Sequence, residues 1–124
     1  MPTKTFLVED SATIRANLVP AMRDLADVEV VAYAESESEA VAWLAAYTGE
    51  LHLAVVDLLL REGSGLGVAK HFSRARPELR LVILTNYATA STRERALAAG
   101  ASAVFDKSTE LEEFFAYCVG LPNR

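Results

Sequence analysis

Five side chains that can do chemistry stand where apolar runs end. Glu9 and Asp10 follow the run Thr5–Val8, Asp57 closes Leu53–Asp57, Thr85 closes Leu81–Thr85, and Lys107 follows Ala103–Phe105. Asp57 is the most informative of them. It sits inside Leu53-Ala54-Val55-Val56-Asp57-Leu58-Leu59-Leu60, and a carboxylate among apolar neighbours costs free energy unless something compensates it. A turn or capping role is the ordinary alternative for Asp after a strand, but three leucines follow, which suits a turn poorly. Glu9-Asp10, taken alone, fits the positive end of a helix. Taken with Asp57, the pair fits a hard divalent cation, because Mg²⁺ prefers oxygen ligands, keeps several waters and needs only one or two carboxylates plus phosphate. Three clustered carboxylates without a cation would repel one another and resist ionising, and Lys107 would supply part of the balance. Thr85 alone is an ordinary β-branched strand residue, and Lys107 alone an ordinary surface lysine. Each ends its own strand, so neither is placed by the other.

The elements that must position these groups follow from hydrophobic patterning. Apolar runs at Thr5–Val8, Val28–Ala34, Leu53–Asp57, Leu81–Thr85 and Ala103–Phe105 alternate with helix-spaced segments at Ser11–Leu25, Ser36–Tyr47, Leu66–Arg76, Thr92–Ala99 and Thr109–Val119. The first, third and fourth runs are nearly continuous, as in strands covered on both faces. Ser36-x-x-Glu39, Ser91-x-x-Glu94 and Thr109-x-x-Glu112 match the capping box, and Gly49, Pro77, Gly100 and Gly120 mark helix ends. Five strands alternating with five helices predict an α/β, doubly wound, five-stranded parallel sheet of order 2-1-3-4-5 (flavodoxin-like). In such a sheet ligands bind beyond the carboxyl ends of the strands, where the order reverses. The five residues named above belong to that rim.

Composition excludes other classes. The chain has 124 residues, 52% of them hydrophobic and 23% charged, which suits one globular domain over residues 1–124 and not a disordered tail. No apolar stretch approaches the ~18 residues of a membrane span. The segment before Glu9 is too short for the apolar core of a signal peptide. With Cys118 as the single cysteine, a cytoplasmic, reducing location is expected. A net charge of -5 with scattered arginines argues against broad nucleic-acid binding. Gly63-Ser64-Gly65-Leu66-Gly67 fits neither GxGxxG nor GxxxxGK[ST] and reads as a loop turn. His52 and His71 have no second ligand at metal spacing, Trp43 reads as packing, and Arg74, Arg76 and Arg80 read as a solvated turn.

Taken in order, Val8-Glu9-Asp10-Ser11, Val55-Val56-Asp57-Leu58 with Gly63-Ser64-Gly65-Leu66, Val82-Ile83-Leu84-Thr85, Ala98-Ala99-Gly100-Ala101 and Phe105-Asp106-Lys107-Ser108 resemble the response-regulator receiver domain of two-component signalling over nearly the whole chain. The resemblance implies that Asp57 is the phosphoacceptor. It implies that Glu9, Asp10, Asp57 and the backbone carbonyl of Leu59 hold Mg²⁺, and that Thr85 and Lys107 contact phosphoryl oxygens. The implied donor is a phosphohistidine on a sensor histidine kinase or phosphotransfer protein. The implied output is contact with a downstream protein, with a homodimer left open and no membrane insertion. A stand-alone receiver without an output domain is expected, since the last helix ends near Gly120. The alternatives are a phosphorelay intermediate and a Mg²⁺-dependent aspartate-nucleophile phosphohydrolase. The latter typically carries a second acid two residues after the nucleophile, where this chain has Leu59. The protein is thus expected to be a switch and not an enzyme, although it would promote its own phosphorylation and dephosphorylation.

The chain departs from the family in places. Val104 stands where Tyr or Phe is usual, and alternation points Phe105 to the opposite face, into the core. Ser108 replaces a common proline. Leu59 and Tyr87 are bulky at positions that border the site in relatives and are expected to hinder an attacking water. Asn86 either donates to a phosphoryl oxygen or narrows access.

Overall fold

A computed structural model describes residues 2–121. Ten elements alternate: β1 (Thr3–Val8), α1 (Ala12–Ala26), β2 (Val28–Ala34), α2 (Glu37–Ala46), β3 (Leu53–Val56), α3 (Gly65–Ala75), β4 (Arg80–Thr85), α4 (Ala90–Ala98), β5 (Ala103–Asp106) and α5 (Leu111–Val119). The strands form one parallel sheet in the order β2-β1-β3-β4-β5, as the sequence pattern predicts.

Strand alternation divides the core between two faces. Phe6, Val8, Val56, Ile83 and Val104 face α2, α3 and α4, where Phe72 and Leu44 close over them. Leu7, Val55, Val82 and Leu84 face α1 and α5, where Met22 and Phe114 cover them. Phe6, Phe72 and Phe114 are fully buried, and truncating any one to alanine would cost about 3–5 kcal/mol. Trp43 is packing, as expected. It stacks on Phe6 at 4.0 Å between centroids and on Tyr47 at 4.3 Å.

Side-chain caps set the helix starts, and two of them differ from the sequence expectation. Ser11, Ser36 and Ser64 cap α1, α2 and α3 by accepting from Ile14, Glu39 and Gly67 N–H groups. For α4 the cap is Thr89, accepting from Thr92 N–H, and Ser91 lies inside the helix. Only Ser91, with Glu94 three residues on, fits the capping box; Thr89 is followed at that spacing by Thr92. Thr89 takes the role because a tight turn, Thr89 N–H to Tyr87 O at 2.9 Å, brings the chain to helical direction two residues early. At α5 the N-cap position is Glu110, without a side-chain cap bond. Thr109 instead belongs to a turn held by Asp106, whose Oδ1 accepts from the N–H groups of Ser108 and Thr109. Pro20 lies within α1. It leaves the carbonyl of Ala16 without its usual helical donor, and Ala16 is exposed to solvent.

Register places the rim. Val8 pairs with Val56, Val56 with Ile83, and Thr85 with Asp106. The ladder runs one step past the strands: Glu9 N–H bonds Ala34 O (3.0 Å), Asp57 N–H bonds Val8 O (2.9 Å) and Lys107 N–H bonds Thr85 O (2.9 Å). Backbone hydrogen bonds therefore hold Glu9, Asp57 and Lys107 at the carboxyl edge, where β1 and β3 diverge to opposite sides.

Candidate functional site

At this edge, Glu9, Asp10 and Asp57 each present an oxygen within 4.8 Å of the others. Lys107, 98 residues from Glu9, reaches back across the sheet edge. Its Nζ lies 2.6 Å from Glu9 Oε1 and 3.1 Å from Asp57 Oδ2. Glu9 is only 2% exposed, and its second oxygen accepts from Ser11 N–H at 3.1 Å. Its charge is thus met on both sides, as a buried carboxylate requires. Asp57 and Lys107 are partly buried. Burial pushes the Asp57 carboxyl above its ordinary value; the Lys107 charge pulls it back, the Glu9 charge adds to the rise, and the net is upward. Burial disfavours the Lys107 ammonium, but the Glu9 hydrogen bond and the nearby Asp57 and Glu9 charges outweigh it and raise the pKa. Lys107 is therefore charged at neutral pH.

Leu59 reaches the site through its backbone, which favours the charged form of the Asp57 carboxyl. Its side chain is 57% exposed, and that of Tyr87 58%. Thr85 stands at the end of the neighbouring strand and is fully buried. Its Oγ1 accepts from Tyr87 N–H at 3.1 Å, which leaves the hydroxyl proton to donate. The structure thus brings together Glu9, Asp10, Asp57, Lys107 and the Leu59 backbone, while the Thr85 hydroxyl oxygen is engaged by its own loop. A cavity of about 410 Å³ opens beside Lys107, walled by Leu18 of α1 and by Leu111 and Phe115 of α5, with Asn86 among its lining residues.

Supporting residues escaped the sequence reading. Arg15 donates to Glu9 O (2.7 Å), pairs with Glu35 (2.9 Å) and stacks on Tyr33 (4.1 Å to the centroid). A basic residue four positions after the Ser11 cap was the available signal. Asp106 accepts from Ser108 N–H and Oγ, each at 2.7 Å, and so shapes the turn immediately after Lys107. Those bonds hold its carboxyl below the ordinary range. Here the signal was Asp-x-Ser-Thr, an Asx-turn pattern.

Residues 5–118 match the family model described as the response regulator receiver domain. The chain belongs to that family. It is 34% identical over 99 residues, 80% of this chain and 45% of the relative, to the DNA-binding transcriptional activator DevR/DosR of Mycobacterium tuberculosis. It is 33% identical over 109 residues, 86% of this chain and 56% of the relative, to the photosynthetic apparatus regulatory protein RegA of Cereibacter sphaeroides. The chain spans about half the length of these curated relatives. Among solved structures, a two-component response regulator of the LuxR family from Aurantimonas sp. SI85-9A1 superposes with a TM-score of 0.81. It covers 98% of this chain and 88% of that chain at 22% identity, which speaks to the fold.

As a receiver domain of two-component signalling, this chain carries an acidic cluster at the carboxyl edge of its sheet. The departures from the family resolve structurally. Val104 is buried on the α3–α4 face. Phe105 lies on the other face, with centroids 5.9 Å from Phe114 and 5.7 Å from Tyr117, as alternation requires. Arg93 of α4 occupies the neighbourhood of Val104, donating to its carbonyl (3.0 Å), to Ala88 O (3.1 Å) and to Glu110 (2.7 Å). No described helix is long and apolar enough to cross a membrane.

Proposed function

We propose that this receiver domain is a phosphorylation switch in which Asp57 accepts a phosphoryl group from a phosphohistidine on a sensor kinase or phosphotransfer protein. The observation that carries this reading is Lys107 bridging Glu9 and Asp57 within a cluster of three carboxylates. One ammonium against three carboxylates, all hard oxygen donors, fits Mg²⁺. Glu9, Asp10, Asp57 and the Leu59 carbonyl would hold the ion. When bound, the ion would offset charge on the phosphoryl oxygens.

The chain's own groups do the rest. An Asp57 oxygen attacks phosphorus, a P–O bond forms, the P–N bond to the donor imidazole breaks, and the bonding pair leaves with the imidazole. Lys107 exchanges part of its contact with Asp57 for a phosphoryl oxygen. Thr85 donates a hydrogen bond from its hydroxyl to another, drawing its loop and the start of α4 inward. Output follows as a shift between two arrangements of the α4–β5–α5 side, read by a downstream protein or domain.

Incubation with acetyl phosphate and Mg²⁺, read by intact mass, tests the reading. Wild type should gain one phosphoryl group, and Asp57→Asn none. Equal labelling of the variant would refute it.

A further inference from the structure

The β3–α3 loop, residues 57–64, carries the backbone of Leu59, yet Leu59, Arg61, Glu62 and Gly63 are all exposed. Leu58 and Leu60 pack against the core, but the exposed residues around them need other anchors. The loop closes on itself through a bridge between Leu59 and Ser64 and through Gly65 N–H bonding Leu58 O at 2.9 Å. Gly65 approaches so closely that a Cβ there would strike the Asp57 backbone carbonyl. The closed loop is then fastened to the start of α2 by a reciprocal pair of glutamates. Glu37 N–H bonds Glu62 O (3.0 Å), while the Glu62 carboxylate accepts from Ser38 N–H (3.2 Å) and Oγ (2.9 Å). In the other direction, Glu37 Oε1 accepts from Ser64 N–H at 2.9 Å. A Cβ on Gly67 would lie under 3.0 Å from the Glu37 carboxylate, so glycine there admits the glutamate to the loop. The carboxylate of Glu62 also sits at the N-terminal end of α2, where the helix favours negative charge.

We infer that Glu37 and Glu62 are positioning residues for cation binding: by clamping the β3–α3 loop to α2, they hold the Leu59 backbone where its carbonyl can serve as a ligand. The inference rests on the Mg²⁺ reading above. Mg²⁺ tolerates little departure from octahedral geometry, so a loop free to drift must be reordered each time the ion binds, and affinity falls. Neither glutamate is one of the proposed ligands.

Calorimetric titration of the full chain with MgCl₂, with melting temperature recorded without metal, tests this. Glu37→Ala removes the acceptor for Ser64 N–H, and Glu62→Ala that for Ser38. Each should weaken Mg²⁺ binding roughly threefold to tenfold, the scale of one or two lost hydrogen bonds. Glu37→Gln keeps a side-chain carbonyl and loses only the charge, so its affinity should stay within about twofold of wild type if position and not long-range charge is responsible. Binding unchanged in both alanine variants overturns the proposal, as does Glu37→Gln falling as far as Glu37→Ala. Binding absent in wild type overturns the cation reading and the proposal with it. Should Glu37→Ala fail to fold, Glu62→Ala, altered at an exposed position, decides the matter by the same criterion.

Discussion

Replacing Asp10 by asparagine should make the metal-free protein more stable while abolishing most of its response to Mg²⁺. The sign comes from charge. Asp10 faces two carboxylates within 4.8 Å, whereas Lys107 spends its contacts on Glu9 and Asp57. One like-charge pair at that distance repels by about 0.9 kcal/mol in a water-like medium and about 3.5 kcal/mol at an effective dielectric near 20. Two repulsions less the attraction of Lys107 leave a net of roughly one such pair. Asp10 is only partly buried, which favours the lower figure. It also precedes the cap of α1, where a negative charge is worth about 0.3–1 kcal/mol; that contribution would be lost. The lower figure less the lost helix-end contribution gives an expected gain of up to about 0.6 kcal/mol, with ~3 kcal/mol as the bound set by the higher figure. Urea unfolding with fluorescence detection reads it as a midpoint raised by up to about 0.6 M. Wild type should gain about 2.7 kcal/mol from Mg²⁺ at a hundredfold excess over its dissociation constant, and Asp10→Asn only a small part of that. A variant less stable than wild type without metal, or one that keeps the full Mg²⁺ gain, would refute the reasoning.

Leu59 and Tyr87 expose large side chains beside the site. Replacing both with small polar residues should speed loss of the phosphoryl group several-fold, measured as decay of labelled protein; an unchanged or slower rate would exclude a shielding role. Cys118 is fully buried, and burial pushes its thiol up to about 12. Because the thiolate is the reactive form, alkylation at pH 8 should run at least ~100-fold slower in the folded chain than in urea, and comparable rates would contradict the packing of α5. Glu110 is held below its ordinary carboxylate value chiefly by the Arg93 hydrogen bond. Its contribution to stability is present above the ordinary value and disappears as pH falls through the lowered one. Arg93→Ala should accordingly destabilise more at pH 7 than at pH 3 in urea titrations, and an equal loss at both would separate the effect from this pair.

The sheet was legible because its inner strands, covered on both faces, read as unbroken apolar runs, and the topology that follows puts their carboxyl ends on one rim. Asp57 was legible for the same reason: a carboxylate at the end of such a run demands a partner. The partners themselves were not. Nothing local ties Lys107 to Glu9 across 98 residues, or the carboxylate of Glu37 to Ser64 across 27; these are meetings of long side chains that only the assembled loops bring within reach. The caps of α4 and α5 were misplaced for a different cause. Ser91 and Thr109 satisfy the capping pattern, but turns preceding each helix, set by Thr85, Tyr87 and Asp106, decide where helical direction begins. Arg93, an ordinary helix-surface residue by spacing, reaches Val104 and Glu110 because β5 and the turn leading into α5 lie beside α4.

The central claim is that the group modified is the Asp57 carboxylate and no other acid of the cluster. Borohydride trapping after acetyl phosphate treatment, followed by peptide sequencing in a mass spectrometer, addresses it directly, since hydride reduces an acyl phosphate to an alcohol and marks its position. The result expected is a single reduced residue at 57. Reduction at Glu9 or Asp10, or a stable phosphoryl group on a hydroxyl or imidazole instead, would contradict it.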